Sequence, residues 1–275
     1  MAEIKMTAQE KLKKQTESGN HIAVGLDTDI SKIPQFLLSE KNPVLKFNQI
    51  IIENTQEYAA SYKVNLAFYE KDGSAGLETL QETIACIPKD ILIIGDAKRG
   101  DIGNTSEMYA QSLFNHFRFD SVTLHPYMGS DSVEPFLKFG DKLSFMLALT
   151  SNSGSADFEK LELKNGGFLF QEVIKKVKQW NKNNNCGIVF GATNDIELEN
   201  NIELFDGLAV LLPGVGAQGG SLERVTEIFK KNNHHQFLIN VSRSLIYKDK
   251  TEHFGKAAKE EIISLNKTIQ TIWDN

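Results

Sequence analysis

The chain has 275 residues, 41% of them hydrophobic, and a formal net charge of −6. That length suits one large α/β barrel or two modest domains with a sizeable core, and the negative balance argues against nonspecific nucleic-acid binding. No apolar run approaches the roughly 20 residues of a membrane-spanning helix, and residues 1–20 lack the apolar stretch of a signal peptide. Cys86 and Cys186 fit no metal or redox spacing. The sequence therefore predicts a cytoplasmic protein, without membrane or nucleic-acid partners, whose two cysteines are reduced core residues.

In chain order, a short polar helix is predicted over 7–19, stopped by Gly19, and a strand over 22–26 with Asp27 at its end. Val44, Phe47, Ile51, Asn54 and Tyr58 lie at helical spacing over 43–58, with Asn42 as N-cap and Pro43 at the first helical position. A strand over 61–65 ends near Lys63, and a helix over 76–87 is stopped by Pro88. The apolar run 91–95 reads as a buried strand and leads into Asp96-Ala97-Lys98-Arg99-Gly100-Asp101-Ile102. Residues two apart on a strand share a face, so Asp96 and Lys98 are predicted to point the same way. Gly100 then breaks the strand and leaves Asp101 in the following turn.

The alternation continues with a helix over 105–117, a strand over 121–124 ending at His125-Pro126, a helix over 131–139 and a strand over 144–149. The polar segment 151–167 is long enough to serve as a lid. After it come a helix over 168–183, a strand over 186–190 and a short helix over 195–204. A strand over 208–212 ends at Pro213-Gly214. A helix over 221–232, a strand over 237–241 ending in Ser242-Arg243 and a closing helix over 256–273 complete the chain. Eight strand–helix units without a Ser/Pro-rich linker imply a parallel sheet closed as one (β/α)₈ barrel, a single domain over 1–275 with a short N-terminal helix. An open doubly wound sheet is the alternative.

In such a barrel the reactive side chains stand at the C-terminal ends of the strands. Those ends carry Asp27, Lys63, Asp96, Lys98, Asp101, Ser151, Gln218 and Arg243. A strand-end ion pair with a solvated loop charge is the plain structural account. Buried charges are costly unless paired, however, and apolar packing usually stabilises as well. A self-neutralising set of lysines and aspartates therefore points to function. The stretch Leu212–Gly220 places Gly214, Gly216 and Gly219 in the pattern G-x-G-x-x-G. It falls at the seventh unit, and no acidic residue ends the strand 237–241 to hold a ribose hydroxyl, so a dinucleotide site is disfavoured. A phosphate cradle is the better reading, with backbone N–H groups of Gly216 to Gly220 at a helix N-terminus and Arg243 as a bidentate donor. His125 and Asn194 are also at strand ends, His125 in a structural role. No metal-ligand spacing stands out, and a central lysine disfavours a cation.

Asp96-x-Lys98-x-x-Asp101-Ile102, Lys63, Pro213-Gly-Val-Gly-Ala-Gln218 and Arg243 together resemble orotidine 5′-phosphate decarboxylase. Residues 63–70, Gly191-Ala-Thr-Asn194 and the long segment from Ser151 resemble its longer bacterial-type subfamily, type 2. The resemblance spans about Asn20 to Tyr247, and its combination with Asp27 sets it apart from relatives that share only the D-x-K-x-x-D element. It implies conversion of orotidine 5′-phosphate to UMP and CO₂ without metal or cofactor. Lys98 would deliver a proton to C6, Asp96 would sit beside the substrate carboxylate, and Lys63 would bridge the ribose and Asp96. Asp27 would hold a ribose hydroxyl and Ser151 the pyrimidine. Pro213, Gly214, Gln218 and Arg243 would form the phosphate end. Asp101 and Thr105 would reach into a neighbour's site across a homodimer. Ser242 departs from the pattern, standing where many members have glycine.

Two other functions fit the same scaffold. A Mg²⁺-assisted sugar-phosphate decarboxylase or aldolase would want a carboxylate where this chain has Lys63. A non-catalytic phosphate-ligand binding protein should have lost the lysine–carboxylate set, which is intact here.

Overall fold

The structure, a computed structural model, describes residues 6–164, 166–216 and 218–275. Eight parallel strands close into a barrel in chain order: β1 (Ile22–Gly25), β2 (Ser61–Asn65), β3 (Leu92–Arg99), β4 (Ser121–Leu124), β5 (Leu143–Leu149), β6 (Cys186–Phe190), β7 (Ala209–Pro213) and β8 (Phe237–Val241). Pairing of Ile22 with Ile239 and of Val24 with Val241 joins β8 back to β1, so the barrel has no open edge and the doubly wound alternative is excluded.

The surrounding helices are α1 (Ala8–Glu17), α2 (Pro43–Thr55), α3 (Ala67–Glu70), α4 (Gly73–Ala85), α5 (Gly103–Gln111), α6 (Ser130–Leu137), α7 (Leu169–Trp180), α8 (Asp195–Asn201), α9 (Leu222–Lys231), α10 (Arg243–Ile246) and α11 (Phe254–Asp274). Their starts follow local chemistry. Thr7 and Glu10 form a reciprocal capping box before α1. The Asn42 side chain accepts the Leu45 N–H at 3.2 Å with Pro43 at the first position of α2.

Strand alternation divides the core in two. Ala23, Leu92, Ile94, Phe145, Val189, Leu211 and Leu238 fill the barrel interior. Their neighbours Ile22, Val24, Tyr62, Val64, Ile93 and Ile239 pack outward against the helices. Gly187 is required inside, because a Cβ there would lie 2.6 Å from Phe145 Cδ1 and 2.7 Å from the Ala209 carbonyl oxygen. Helix α1 closes the floor with Ala8 and Leu12, which join the interior cluster. Below them Lys11 Nζ lies 2.7 Å from Asp120 Oδ2, both side chains 7% exposed.

Several details differ from the sequence reading. β3 runs through Asp96 to Arg99 instead of ending at Gly95, and Lys63 lies in the middle of β2, paired with Gly25 and Ile94. The four-residue helices α3 and α10 follow β2 and β8 directly. The helix expected over 105–117 begins at Gly103 and ends in a π turn, Ser112–His116. Only Cys186 is a core residue, its thiol pushed up to about 12 by burial. Cys86 is half-buried at the end of α4, its Sγ donating to the Glu82 carbonyl at 3.2 Å.

Candidate active site

The first three strands bring four charged side chains into one chain of contacts. Lys63 is 4% exposed and faces the barrel interior. Its Nζ lies 3.0 Å from Asp96 Oδ2 and 3.4 Å from Asp27 Oδ1. Lys98 Nζ lies 2.7 Å from Asp96 Oδ1. The order Asp27–Lys63–Asp96–Lys98 alternates in sign, which is how two carboxylates and two ammonium groups can share a mostly dry site. Burial opposes the charge on Asp96, but Lys63 and Lys98, with hydrogen bonds from Lys98 and Thr123, hold its carboxyl far below the usual carboxylate range. Burial also opposes the charge on Lys63, and Asp96 and Asp27 outweigh it, holding the ammonium above its ordinary value. The Lys98 side chain is 49% exposed and is the member of the network that reaches toward the mouth.

Each member is held by the elements behind it. The chain leaving β1 is tied by Leu26 N–H to the Lys63 carbonyl at 2.9 Å and by Tyr69 OH to the Leu26 carbonyl at 3.1 Å. Tyr247, just past α10, accepts the Asp29 N–H at 2.7 Å and donates to the Asp27 carbonyl at 3.3 Å. Ser242 Oγ is within 3.0 Å of Asp27 Oδ2, so the carboxylate is gripped by Ser242 on one oxygen and Lys63 on the other. The structure thus gives the departure at Ser242 a partner. It also sets it beside β1: a Cβ at Gly25 would lie 2.7 Å from Ser242 Cβ.

The second half of the mouth comes from β5, β7 and β8. Ser151 Oγ donates to Gln218 Oε1 at 2.7 Å. Pro213, Gly214, Gln218, Ser242 and Arg243 line a cavity of about 310 Å³ together with Asp27. A larger cavity, about 560 Å³, opens at the opposite end of the barrel beside Gln9 and His234, far from the charged network. The glycine turn is built differently from the expected cradle. Gly214, Gly216 and Gly219 have φ of +104°, +73° and +92°. Gly216 N–H donates to Gly220 O at 3.1 Å, Gly219 N–H to Gly216 O at 2.9 Å and Gly220 N–H to Gly214 O at 3.0 Å. Those three donors are spent inside the turn, because a chain this tightly folded satisfies itself. Ala217 lies outside the described residues, and α9 begins only at Leu222.

The segment expected as a lid is folded against the barrel. It contains a 3₁₀ turn, Ser153–Asp157, and a bridge between Glu162 and Phe168. Glu159 accepts the Thr150 N–H at 2.6 Å, and Asn194 Nδ2 donates to the Thr150 carbonyl at 3.0 Å, so both fix the backbone just before Ser151. His125 caps the short turn Pro126–Met128, accepting the Tyr127 N–H on Nδ1 at 3.3 Å. Asp101 accepts its neighbour Ile102 N–H at 2.8 Å, and Thr105 is exposed in the first turn of α5. Among the described residues, neither is hydrogen-bonded or ion-paired to the network.

Sequence reasoning missed Thr123 and the tethering role of Tyr247. Thr123 Oγ1 donates to Asp96 Oδ1 at 2.8 Å and accepts the Lys98 N–H at 3.0 Å. Alternation along 121–124 puts Ser121 and Thr123 on one face, which was the signal available.

Fold and site define a class: a (β/α)₈-barrel enzyme with a network of paired charges at the C-terminal ends of its first strands. The chain belongs to the orotidine 5′-phosphate decarboxylase / HUMPS family, whose model matches residues 21–258. It is 44% identical over 268 residues to the orotidine 5′-phosphate decarboxylase of Porphyromonas gingivalis, covering 96% of this chain and 97% of that one. It is 45% identical over 265 residues to that of Parabacteroides distasonis, covering 95% and 94%. Among solved structures, Leishmania donovani OMP decarboxylase superposes with a TM-score of 0.82 at 34% identity, covering 96% of this chain and all of that one. Leishmania donovani UMP synthase superposes at 0.84 and 35% identity, over 96% of this chain and 57% of that longer one.

Proposed function

We propose that the barrel mouth is where this chain converts orotidine 5′-phosphate to UMP and CO₂, with Lys98, Asp96, Lys63 and Asp101 as the reacting and charge-bearing groups. The observation that carries this reading is the buried, sign-alternating chain Asp27–Lys63–Asp96–Lys98. The C6–carboxylate bond breaks with its electron pair left on C6, CO₂ departs, and a proton passes from Lys98 Nζ to C6. Lys98 then recovers a proton from water. Asp96, ionised and held between two lysines, stands beside the departing carboxylate and orients Lys98. Lys63 and Asp27 take the ribose hydroxyls, Ser151 the pyrimidine, and Pro213, Gly214, Gln218 and Arg243 the phosphate end.

Magnitudes show why so many groups take part. Two unit charges 4 Å apart at an effective dielectric near 20 interact by about 4 kcal/mol. Accelerations at the upper end of the usual enzymatic range need roughly 23 kcal/mol. One lysine is insufficient, so binding energy from the phosphate end must be realised in the transition state. The Ser151–Gln218 hydrogen bond supports this, since it links a pyrimidine residue to a phosphate residue.

The same reading makes residues 1–275 one domain acting as a cytoplasmic homodimer without a cofactor, with Asp101 and Thr105 completing a neighbour's site. Exposed Ile102, Met108, Tyr109, Tyr127 and Met128, clustered after β3 and β4 around those two residues, support a partner on that side. The test is loss of the orotidine 5′-phosphate absorbance band in EDTA, wild type beside Lys98→Ala. Turnover by wild type alone is expected, and turnover by Lys98→Ala would sink the proton-donor assignment. Mixing Lys98→Ala with Asp101→Ala subunits should restore part of the activity; no restoration argues against a shared site.

A further inference from the structure

Lys98 is a non-glycine residue with φ +46°, in the left-handed region that side-chain-bearing residues seldom adopt. The cause lies in the pairing of β3 with β4. Gly95 pairs with Val122 and Arg99 pairs with Leu124, so Asp96, Ala97 and Lys98 together face the single residue Thr123. Such a bulge leaves backbone groups without ladder partners and re-aims the side chains on it. The Thr123 hydroxyl takes the place of the missing ladder. Its oxygen accepts the Lys98 N–H at 3.0 Å, and its proton goes to Asp96 Oδ1 at 2.8 Å. That same carboxylate oxygen lies 2.7 Å from Lys98 Nζ. One hydroxyl therefore holds the backbone of Lys98 and the side chain of Asp96 at once. Thr123 is itself 1% exposed and β-branched, so its rotamer is fixed by the barrel interior.

We infer that Thr123 is a positioning residue for Lys98 and Asp96, acting in decarboxylation through the bulge of β3. This rests on the reading of Lys98 as the proton donor. Valine has the shape of threonine without the hydroxyl, and leaves both the Lys98 N–H and Asp96 Oδ1 short of a partner. Serine keeps the hydroxyl and loses only the methyl group. The experiment compares kcat, UMP affinity and thermal midpoint for wild type, Thr123→Val, Thr123→Ser and Lys98→Ala.

Misplacing a reacting group by about 1 Å can cost on the order of 100-fold. The expected result is a kcat for Thr123→Val lowered by about 10- to 100-fold, with UMP affinity retained and Thr123→Ser close to wild type. Wild-type kcat in Thr123→Val beside an inactive Lys98→Ala overturns the inference alone. An active Lys98→Ala overturns the proton-donor reading and this inference with it. Equal loss of kcat and UMP affinity in Thr123→Val and Thr123→Ser would make Thr123 a packing residue and also overturn it. Should Thr123→Val fail to fold, Thr123→Ala takes its place, with the same comparison against serine.

Discussion

Lys63→Met tests whether the mouth network is one electrostatic unit. Lys63 is flanked by Asp96 at 3.0 Å and Asp27 at 3.4 Å, with side-chain exposures of 5%, 10% and 17% for the three residues. At an effective dielectric near 20, each contact amounts to about 5 kcal/mol of gross attraction. Much of that offsets desolvation, so the net cost of removing one partner of a buried pair is about 3–5 kcal/mol. Methionine matches the lysine stem, which confines the change to the charge. The penalty should depend on pH in a definite direction. In wild type the Asp96 carboxyl lies below its unfolded value, so its contribution is present above about pH 4 and is lost as pH falls toward the folded value. Without Lys63 the folded carboxyl rises and tolerates protonation. The stability gap between wild type and Lys63→Met should then be widest near neutral pH and narrow as pH falls toward 5. Urea titrations from pH 5 to 8 measure it, and Lys63→Met combined with Asp96→Asn should cost less than the two single changes added together. A gap below about 1 kcal/mol, the size of an exposed pair, and flat with pH would refute the reasoning.

His21 is 3% exposed, and burial lowers its imidazole to about 4. Stability should be at its full value above the unfolded pKa of about 6.5 and fall by about 3 kcal/mol as pH drops toward 4; a pH titration in which His21→Phe shows the same loss would contradict this. Ser242→Ala removes one of the two grips on Asp27, at 3.0 Å; KM should rise about tenfold with kcat little changed, whereas a fall in kcat at constant KM would exclude a ribose-positioning role. Gly214→Ala puts a Cβ where φ is +104° and 3.2 Å from both Gln218 Oε1 and Ser151 Cβ. It should lower stability by roughly 1–3 kcal/mol and raise KM, and unchanged kinetics would remove Gly214 from the phosphate end.

The barrel was legible because its strands are buried on both faces and so stand out as short apolar runs. Four of them, 61–65, 121–124, 186–190 and 237–241, have the predicted bounds. The same signal fails where a strand carries function. β3 continues through Asp96 and Lys98, whose charges end the apolar run three residues before its pairing with Leu124 resumes. Helices α3 and α10 are single turns, too short for a 3.6-residue period to register. In the site, the D-x-K-x-x-D spacing picked out Asp96 and Lys98, and the structure brings them to 2.7 Å, though through a bulge and not a regular strand. Alternation could place Thr123 on the inward face with Ser121 but not give its role, which depends on which β4 residue lies opposite that bulge. The glycine turn was recognisable, but which of its N–H groups face outward depends on dihedrals that the letters do not carry.

Among the described residues a buried ionic cluster stands at each end of the barrel, and the partners of the two differ in kind. At the floor, Asp120 Oδ2 takes Lys11 at 2.7 Å and the Ile93 N–H at 3.1 Å, while Lys142 lies 4.0 Å from Oδ1 and donates to the Phe119 carbonyl at 2.8 Å. Backbone groups complete that cluster, and its three side chains are each 7% exposed. Its chemistry is finished within the fold, as expected of a strut that joins α1 to β3, β4 and β5. At the mouth, Lys63 and Asp96 are as deeply placed, but the network ends in a lysine whose side chain is 49% exposed. A cluster selected for stability alone has no reason to hold its last cation on a left-handed backbone with a threonine hydroxyl as substitute ladder. On the proposed mechanism that conformational cost fixes where an ammonium group stands before any substrate arrives, and preorganised charge is what a developing carbanion requires. Removing the bulge by a change that returns Lys98 to regular strand geometry should therefore raise the thermal midpoint and lower kcat together.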